Sequence, residues 1–304
     1  MIPLQRMQKV KTVSKYQGIY YMLFAALGFS VMSGFAKMLK GSFETQELVF
    51  YRNATGLVVL ILSFSRYPVS QTGGNLWLLL FRGLMGTVAL YTLLFNILHI
   101  PLGTAMTYNT TNTLFIALLS FLFLKEKLNL FMLICIVAGF FGVLLIYKPS
   151  GEVGITYHLI GLICGFSSAL AYLSINSLNK YYDTRVIVLS FIVTGVILPL
   201  AGMGLYKTGF FAADGFFTGP IRLPADAEWL YIAGMGGSAL LGQYFVTKAY
   251  ALDKAGIVSA IGYSNIIFAL VIGLLLGDDF PDLLAIIGIL LVIVSGVMIV
   301  LKKS

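Results

Sequence analysis

The chain has 304 residues, of which 59% are hydrophobic and only 11% charged, with a mean hydropathy of +0.94. Soluble domains run nearer 45–50% apolar and about 25% charged, so this composition excludes a water-soluble globular fold and places the chain in a membrane. A net charge of +8 could point to nucleic acid, but the 20 basic residues are scattered between apolar runs instead of forming a stripe with interleaved aromatics, which excludes that partner. The two cysteines, Cys135 and Cys164, both fall inside apolar runs and offer neither a disulfide framework nor a metal pattern.

A hydrocarbon layer about 30 Å thick requires roughly 20 apolar residues of helix. After a basic segment over residues 1–16 (Arg6, Lys9, Lys11, Lys15), that ruler predicts ten spans. They cover about 17–38, 45–65, 76–98, 102–124, 128–147, 157–179, 186–206, 228–251, 256–277 and 282–301. The first span is longer than a signal-peptide core and lacks a small-residue cleavage pattern, so it is expected to stay in the membrane. Most breaks carry Gly, Pro, Asn or charge, as in HIPLG, KEKLN, KPSGEVG and DDFPD. The runs are continuous and do not alternate, which favours helices over barrel strands. The segment 207–228 is the one sizeable loop, so a single membrane unit is expected.

Short inner segments of multi-pass proteins are enriched in Lys and Arg. With the N-terminus inside, 12 of the 20 basic residues lie on inner segments and 5 on outer ones. Arg52, Arg82 and Lys248 lie within spans. Both termini are therefore expected in the cytoplasm, with the protein in a bacterial cytoplasmic (inner) membrane.

The halves repeat. Shifted by about 143, Gly18, Ala26, Leu27 and Lys37 fall on Gly161, Ala169, Leu170 and Lys180. Shifted by 152–155, Trp77 falls on Trp229, Leu124 on Leu276, Gly142 on Gly296, and TYNTTN on GYSNII. Five spans per half is an odd number, so residues 17–150 and 151–304 enter from opposite sides as inverted repeats. The loops after the fourth and ninth spans agree, since Lys125-Glu126-Lys127 is basic and Asp278-Asp279 is acidic.

Inverted-repeat carriers place their substrate near the midplane, between the repeats. The fourth span carries seven consecutive hydroxyl or amide residues, Thr107 to Thr113, centred in the membrane. Its mate carries Tyr263, Ser264 and Asn265 at similar depth. An amide facing lipid would leave its hydrogen bonds unmet, so these residues must face protein or water. The alternative role for each is to bond helices together or to bond its own helix's carbonyls. The expected lining is Ser30, Tyr91, Tyr108, Asn109, Asn112, Tyr172, Gln243, Tyr244, Tyr263 and Asn265, with Asn109 and Asn112 facing Asn265. Arg52 and Arg82 either snorkel to the interface or face the cavity and attract an anion; Lys248, a turn from the inner surface, is expected to snorkel. No carboxylate sits near the midplane, so a carboxylate proton relay has no seat. Gly234-Met-Gly236 opens no strand-to-helix turn, and His99 and His158 stand alone at helix ends. No catalytic pair, metal set or cofactor motif is therefore expected, nor an obligate protein partner.

FYRNATGLV in the second span, RGLMG in the third, and ALYTLLFNILHIPLGTAMTYNTTNTLFIALLSFLFLKEKLN resemble the EamA-type branch of the drug/metabolite transporter superfamily. The resemblance implies ten helices in two inverted halves and a central cavity built mainly from spans 1, 3, 4, 6, 8 and 9. It also implies transport of a small organic metabolite. The Tyr-Asn-Thr-Thr-Asn-Thr run departs from the more apolar fourth helix of the family and leans toward a polar solute. An amino acid or related zwitterion is expected first, and a larger charged metabolite such as a nucleotide derivative second. A receptor or assembly subunit without flux is the alternative of another class. The charge bias makes a direct prediction: alkaline phosphatase fused after Ser304 will be inactive in a bacterial host, whereas the same enzyme inserted at Thr218 will be active.

Overall fold

The computed structural model describes residues 17–69, 73–124, 130–147, 154–253, 258 and 261–303. Hydrocarbon offers no partner to a backbone N–H or C=O, so a spanning chain must satisfy its own, and the described residues are correspondingly helical. The first half holds α1 (Gln17–Met38), α2 (Thr45–Arg66), α3 (Leu76–His99), α4 (Leu102–Thr110), α5 (Asn112–Leu124) and α6 (Leu130–Tyr147). The second holds α7 (Ile155–Leu178), α8 (Thr184–Lys207), α9 (Asp226–Leu252), α10 (Ser264–Leu275) and α11 (Leu283–Lys303). Among the described residues, α1, α2, α3, α7 and α8 are each long and apolar enough to cross a membrane unaided. The basic N-terminal segment, the Lys125-Glu126-Lys127 turn and part of the ninth expected span lie outside the described residues.

The fourth span is interrupted at Thr111, inside the polar run. Local side chains serve the backbone there. Thr107 Oγ1 donates to Gly103 O (2.8 Å), Thr110 Oγ1 to Thr107 O (2.9 Å), Thr111 Oγ1 to Tyr108 O (2.6 Å) and Asn112 Nδ2 to Asn109 O (2.7 Å). The ninth span has a turn at the repeat-related place, Gly262-Tyr263, just before α10. Its first bonds are three-residue ones, from Asn265 N to Gly262 O and from Ile266 N to Tyr263 O, both 3.0 Å.

Packing obeys the repeat. α1 packs on α9 as α7 packs on α3, and α2 on α9 as α8 on α3. α1 packs on α10 as α7 packs on α4 and α5, while α2 with α8 and α6 with α11 pair across the halves. These principal contacts are mirrored as exchange of the halves predicts for a pair of five-span repeats.

At the expected outer end, the segment 208–225 is irregular but tethered. Asp214 Oδ1 accepts from the amides of Phe216, Phe217 and Thr218 at 3.0, 2.7 and 2.7 Å. Gln46 Nε2 donates to Pro220 O (3.1 Å), and Glu47 Oε1 accepts from Arg222 N (2.7 Å). At the same end Asp278 joins three elements: one carboxylate oxygen pairs with Lys37 at the end of α1, and the other accepts from Leu102 N at the start of α4 (2.9 Å). Both side chains of the ion pair are 14% exposed, so removing one leaves a largely desolvated charge. Asp278→Ala will cost about 3 kcal/mol in thermal unfolding in detergent, and Lys37→Met combined with Asp278→Leu will recover part of that loss.

Candidate functional site

Between the halves lies a cavity of about 50 Å³ of water-accessible volume. At roughly 10–15 Å³ per water, it holds a handful of waters or part of a small solute. The first half contributes Phe29 and Met32 from α1, Arg52 from α2, Arg82, Gly86, Ala89, Leu90 and Leu93 from α3, and Asn109 from α4. The second contributes Ser168, Ala171 and Tyr172 from α7, Phe191 from α8 and Gln243 from α9.

The two arginines dominate its chemistry. Arg52 is 4% exposed and Arg82 1% exposed, so neither snorkels to the interface. Their guanidinium carbons lie 5.0 and 5.5 Å from the centre of the Phe191 ring, within cation–π range. Arg52 Nη1 donates to Asn53 Oδ1 (3.0 Å). Arg52 Nε and Arg82 Nε and Nη2 have no acceptor among the described residues, and no carboxylate lines the cavity. Gly86 makes the placement of Arg82 feasible, because a Cβ at that position would collide with Arg82 Nη1 and with the Phe191 ring. An uncompensated buried charge costs several kcal/mol, and inside a membrane such residues mark binding sites and ion pathways.

Of the residues expected at the site, Asn109, Tyr172, Gln243, Arg52 and Arg82 come together here. Asn109 Oδ1 accepts from Ser168 Oγ across the repeat interface (3.1 Å), and Tyr172 stacks on Tyr250 at 4.8 Å. The other expected residues pack elsewhere. Asn265 does not face Asn109 and Asn112; its Oδ1 accepts from Ser30 Oγ, joining α10 to α1 (2.5 Å). Asn112 is turned back across the interruption, onto the Asn109 carbonyl at the end of α4. Tyr108 pairs with His158, and Tyr263 is buried beside Thr113. Tyr91 packs against Phe216 and Phe217 of the outer loop at 5.6 and 6.1 Å. Tyr244 lies under the Lys248 ammonium at 4.8 Å. The polar atoms of Ser30, Asn265, Tyr108 and Asn112 are engaged by neighbouring helices or by the backbone, and Tyr91 and Tyr244 are held by ring contacts, so these residues do not converge on the cavity. The cavity is also drawn from α2 and α8, whereas the expected lining helices omitted both and included the ninth span. Phe191 and Ser168 were not singled out in the sequence; their only signal was their place on the spans that the repeat pairs with the arginine-bearing helices.

Comparison with known proteins agrees with this architecture. The profile of the EamA-like transporter family matches residues 16–148. A Helicobacter pylori (strain J99) protein described as an uncharacterized transporter is 36% identical over 288 residues, covering 93% of this chain and 94% of its own. The chain belongs to the EamA-like transporter family. The transporter is also similar to the pseudopaline exporter CntI of Pseudomonas aeruginosa (28% identity, 94% of this chain and 97% of that one). It is similar to the S-adenosylmethionine uptake transporter of Rickettsia felis as well (23% identity, 94% and 93%). One solved crystal structure superposes with a TM-score of 0.65 at 17% identity, covering 94% of this chain and 96% of its own, and so shares the fold. The family and these relatives are transporters, not enzymes.

In this transporter the helix contacts and the cavity make opposite demands on stability. Asn265→Leu, which leaves Ser30 Oγ without its side-chain acceptor, will lower stability by about 1–2 kcal/mol. Arg82→Met, which removes an unpaired buried charge, will leave the solute-free protein unchanged or up to about 4 kcal/mol more stable while abolishing transport. Thermal unfolding in detergent alongside flux in liposomes checks both.

Proposed function

We propose that the chain is a secondary transporter or facilitator for a small carboxylate-bearing metabolite, a class that includes amino acids and related zwitterions. Solute moves by alternating access through the Arg52–Arg82 cavity. The observation that carries this reading is the pair of buried guanidiniums that have no counter-ion among the described residues, lining one cavity between the inverted repeats together with Asn109 and Gln243. A guanidinium binds a carboxylate through two parallel hydrogen bonds, and the desolvated setting strengthens that contact. Phe191, Phe29 and Leu93 offer the apolar wall for a carbon skeleton. Rocking of residues 17–150 against 151–304 would expose the cavity to either side in turn, with both termini in the cytoplasm and the chain in a bacterial inner membrane.

A larger charged metabolite such as a nucleotide derivative is the second reading, favoured by the same two arginines, since a phosphate meets a guanidinium as a carboxylate does. The relatives named for pseudopaline export and S-adenosylmethionine uptake differ in both solute and direction. They support transport of organic metabolites without choosing the solute. A receptor without flux is the competing class.

Counterflow in proteoliposomes decides between them. A set of radiolabelled amino acids, organic acids and nucleotide derivatives will yield a specific signal. Arg82→Ala will reduce it at least about tenfold, as truncating one partner of a buried charged contact does. Lys248→Ala, whose ammonium rests on the Tyr21 and Tyr244 rings away from the cavity, will retain it. Absence of flux for every solute in well-folded protein would favour the receptor.

A further inference from the structure

Carboxylate-bearing solutes differ in what else they carry, and the cavity has a charge inventory that discriminates among them. Among the described residues its lining holds two cations, Arg52 and Arg82, and no anion. Every buried polar atom of the lining left without a partner is a nitrogen: Arg52 Nε, Arg82 Nε, Arg82 Nη2 and Gln243 Nε2. The carbonyl oxygen of the Asn109 side chain is already engaged by Ser168 Oγ. A solute bearing an ammonium would bring a third positive charge beside two guanidiniums and find no carboxylate to pair with it, whereas a solute with two anionic groups would neutralise both.

Geometry allows one solute to do this. Both guanidinium carbons stand over the same ring, 5.0 and 5.5 Å from its centre, so they can be no further apart than those two distances laid end to end. A short dicarboxylate spans such a gap with one carboxylate on each guanidinium. The Phe191 ring attracts both cations, which keeps two like charges near one another with no protein anion among the described residues of the lining.

We propose that the cavity selects a small dianion without an ammonium group, either a dicarboxylate or a phosphate monoester, with Arg52 and Arg82 as the two anion-binding residues. This rests on the reading of the cavity as the transport site. It narrows that reading by charge, and it ranks zwitterions below dianions.

A four-carbon series separates the charges at nearly constant size: succinate (two negative), succinamate (one negative), 4-aminobutyrate (zwitterion) and putrescine (two positive), with glycerol 3-phosphate as the phosphate arm. Counterflow and equilibrium binding are measured on the full chain, in liposomes and in detergent respectively. Succinate or glycerol 3-phosphate is expected to exceed succinamate and 4-aminobutyrate at least tenfold in both assays, with putrescine at background. The faster of the two dianions identifies the anionic group. Arg52→Gln and Arg82→Gln will each bring the dianion down to the level of succinamate, and Arg52→Lys will restore part of the preference, because it keeps the charge and loses the paired donors. Preference for 4-aminobutyrate or putrescine over both dianions overturns the charge rule while leaving transport through the cavity intact. Lack of both binding and flux for all five, in protein that unfolds cooperatively, overturns the proposal together with the transport reading beneath it.

Discussion

Two guanidinium groups buried in the helix bundle, with no counter-ion among the described residues, form the constraint on which the rest of this structure turns. Lipid would expel them to the interface and a folded core would normally supply a carboxylate, yet Arg52 and Arg82 meet neither fate. They are retained by the Phe191 ring, by the single bond from Arg52 to Asn53, and by the missing side chain of Gly86, which makes room for Arg82 along its own helix. An arrangement of this kind is costly in the empty protein and becomes favourable when an anion arrives. Differential stability of that sort is what a carrier needs, because a solute can shift a conformational equilibrium only through its unequal affinity for the two states.

The inverted repeats explain why so much polarity elsewhere in the membrane does not reach the cavity. Among the described residues each half carries an interrupted span, at Thr111 and at Gly262-Tyr263, and the hydroxyls and amides around the first interruption bond carbonyls within α4, one turn back along the chain. Other polar groups tie elements together: Ser30 to Asn265 between α1 and α10, and Tyr108 to His158 between α4 and α7. The helix pairs they join, α1 with α10 and α7 with α4, are equivalent under exchange of the halves, although the residues that join them are not. Among the described residues, Asn109 is the one amide of the two polar segments placed at the cavity.

At the expected outer end the structure is closed by electrostatic and backbone contacts instead of apolar packing alone. Asp278 gathers Lys37 and the start of α4, while Glu47 and Gln46 hold the 208–225 segment down at Arg222 and Pro220. Phe216 and Phe217 from that segment rest on Tyr91, within the stretch of α3 that lines the cavity. Contacts between charged groups and irregular loops rearrange at lower cost than interdigitated cores, so this end has the composition of a seam that can part.

Composition and periodicity were enough to place this chain in a membrane, divide it into spans and detect the repeat. Apolar run length and chain punctuation are local properties that the bilayer imposes whatever the packing. The span limits agree with the helices to within a few residues wherever the chain is described, and the acidic turn at Asp278 was visible as the counterpart of a basic one. Rotation of each helix about its axis is a different matter. Asn112 and Asn265 look like ligands in one dimension because an intramembrane amide must find a partner, but only the packed bundle decides whether that partner is a carbonyl one turn away, a serine on the next helix or a solute. Arg52 and Arg82 were equally able to snorkel or to turn inward on their sequence positions alone. Their burial against Phe191, a residue more than a hundred positions along the chain, depends on the second repeat closing over the first, and so it was decided by tertiary structure.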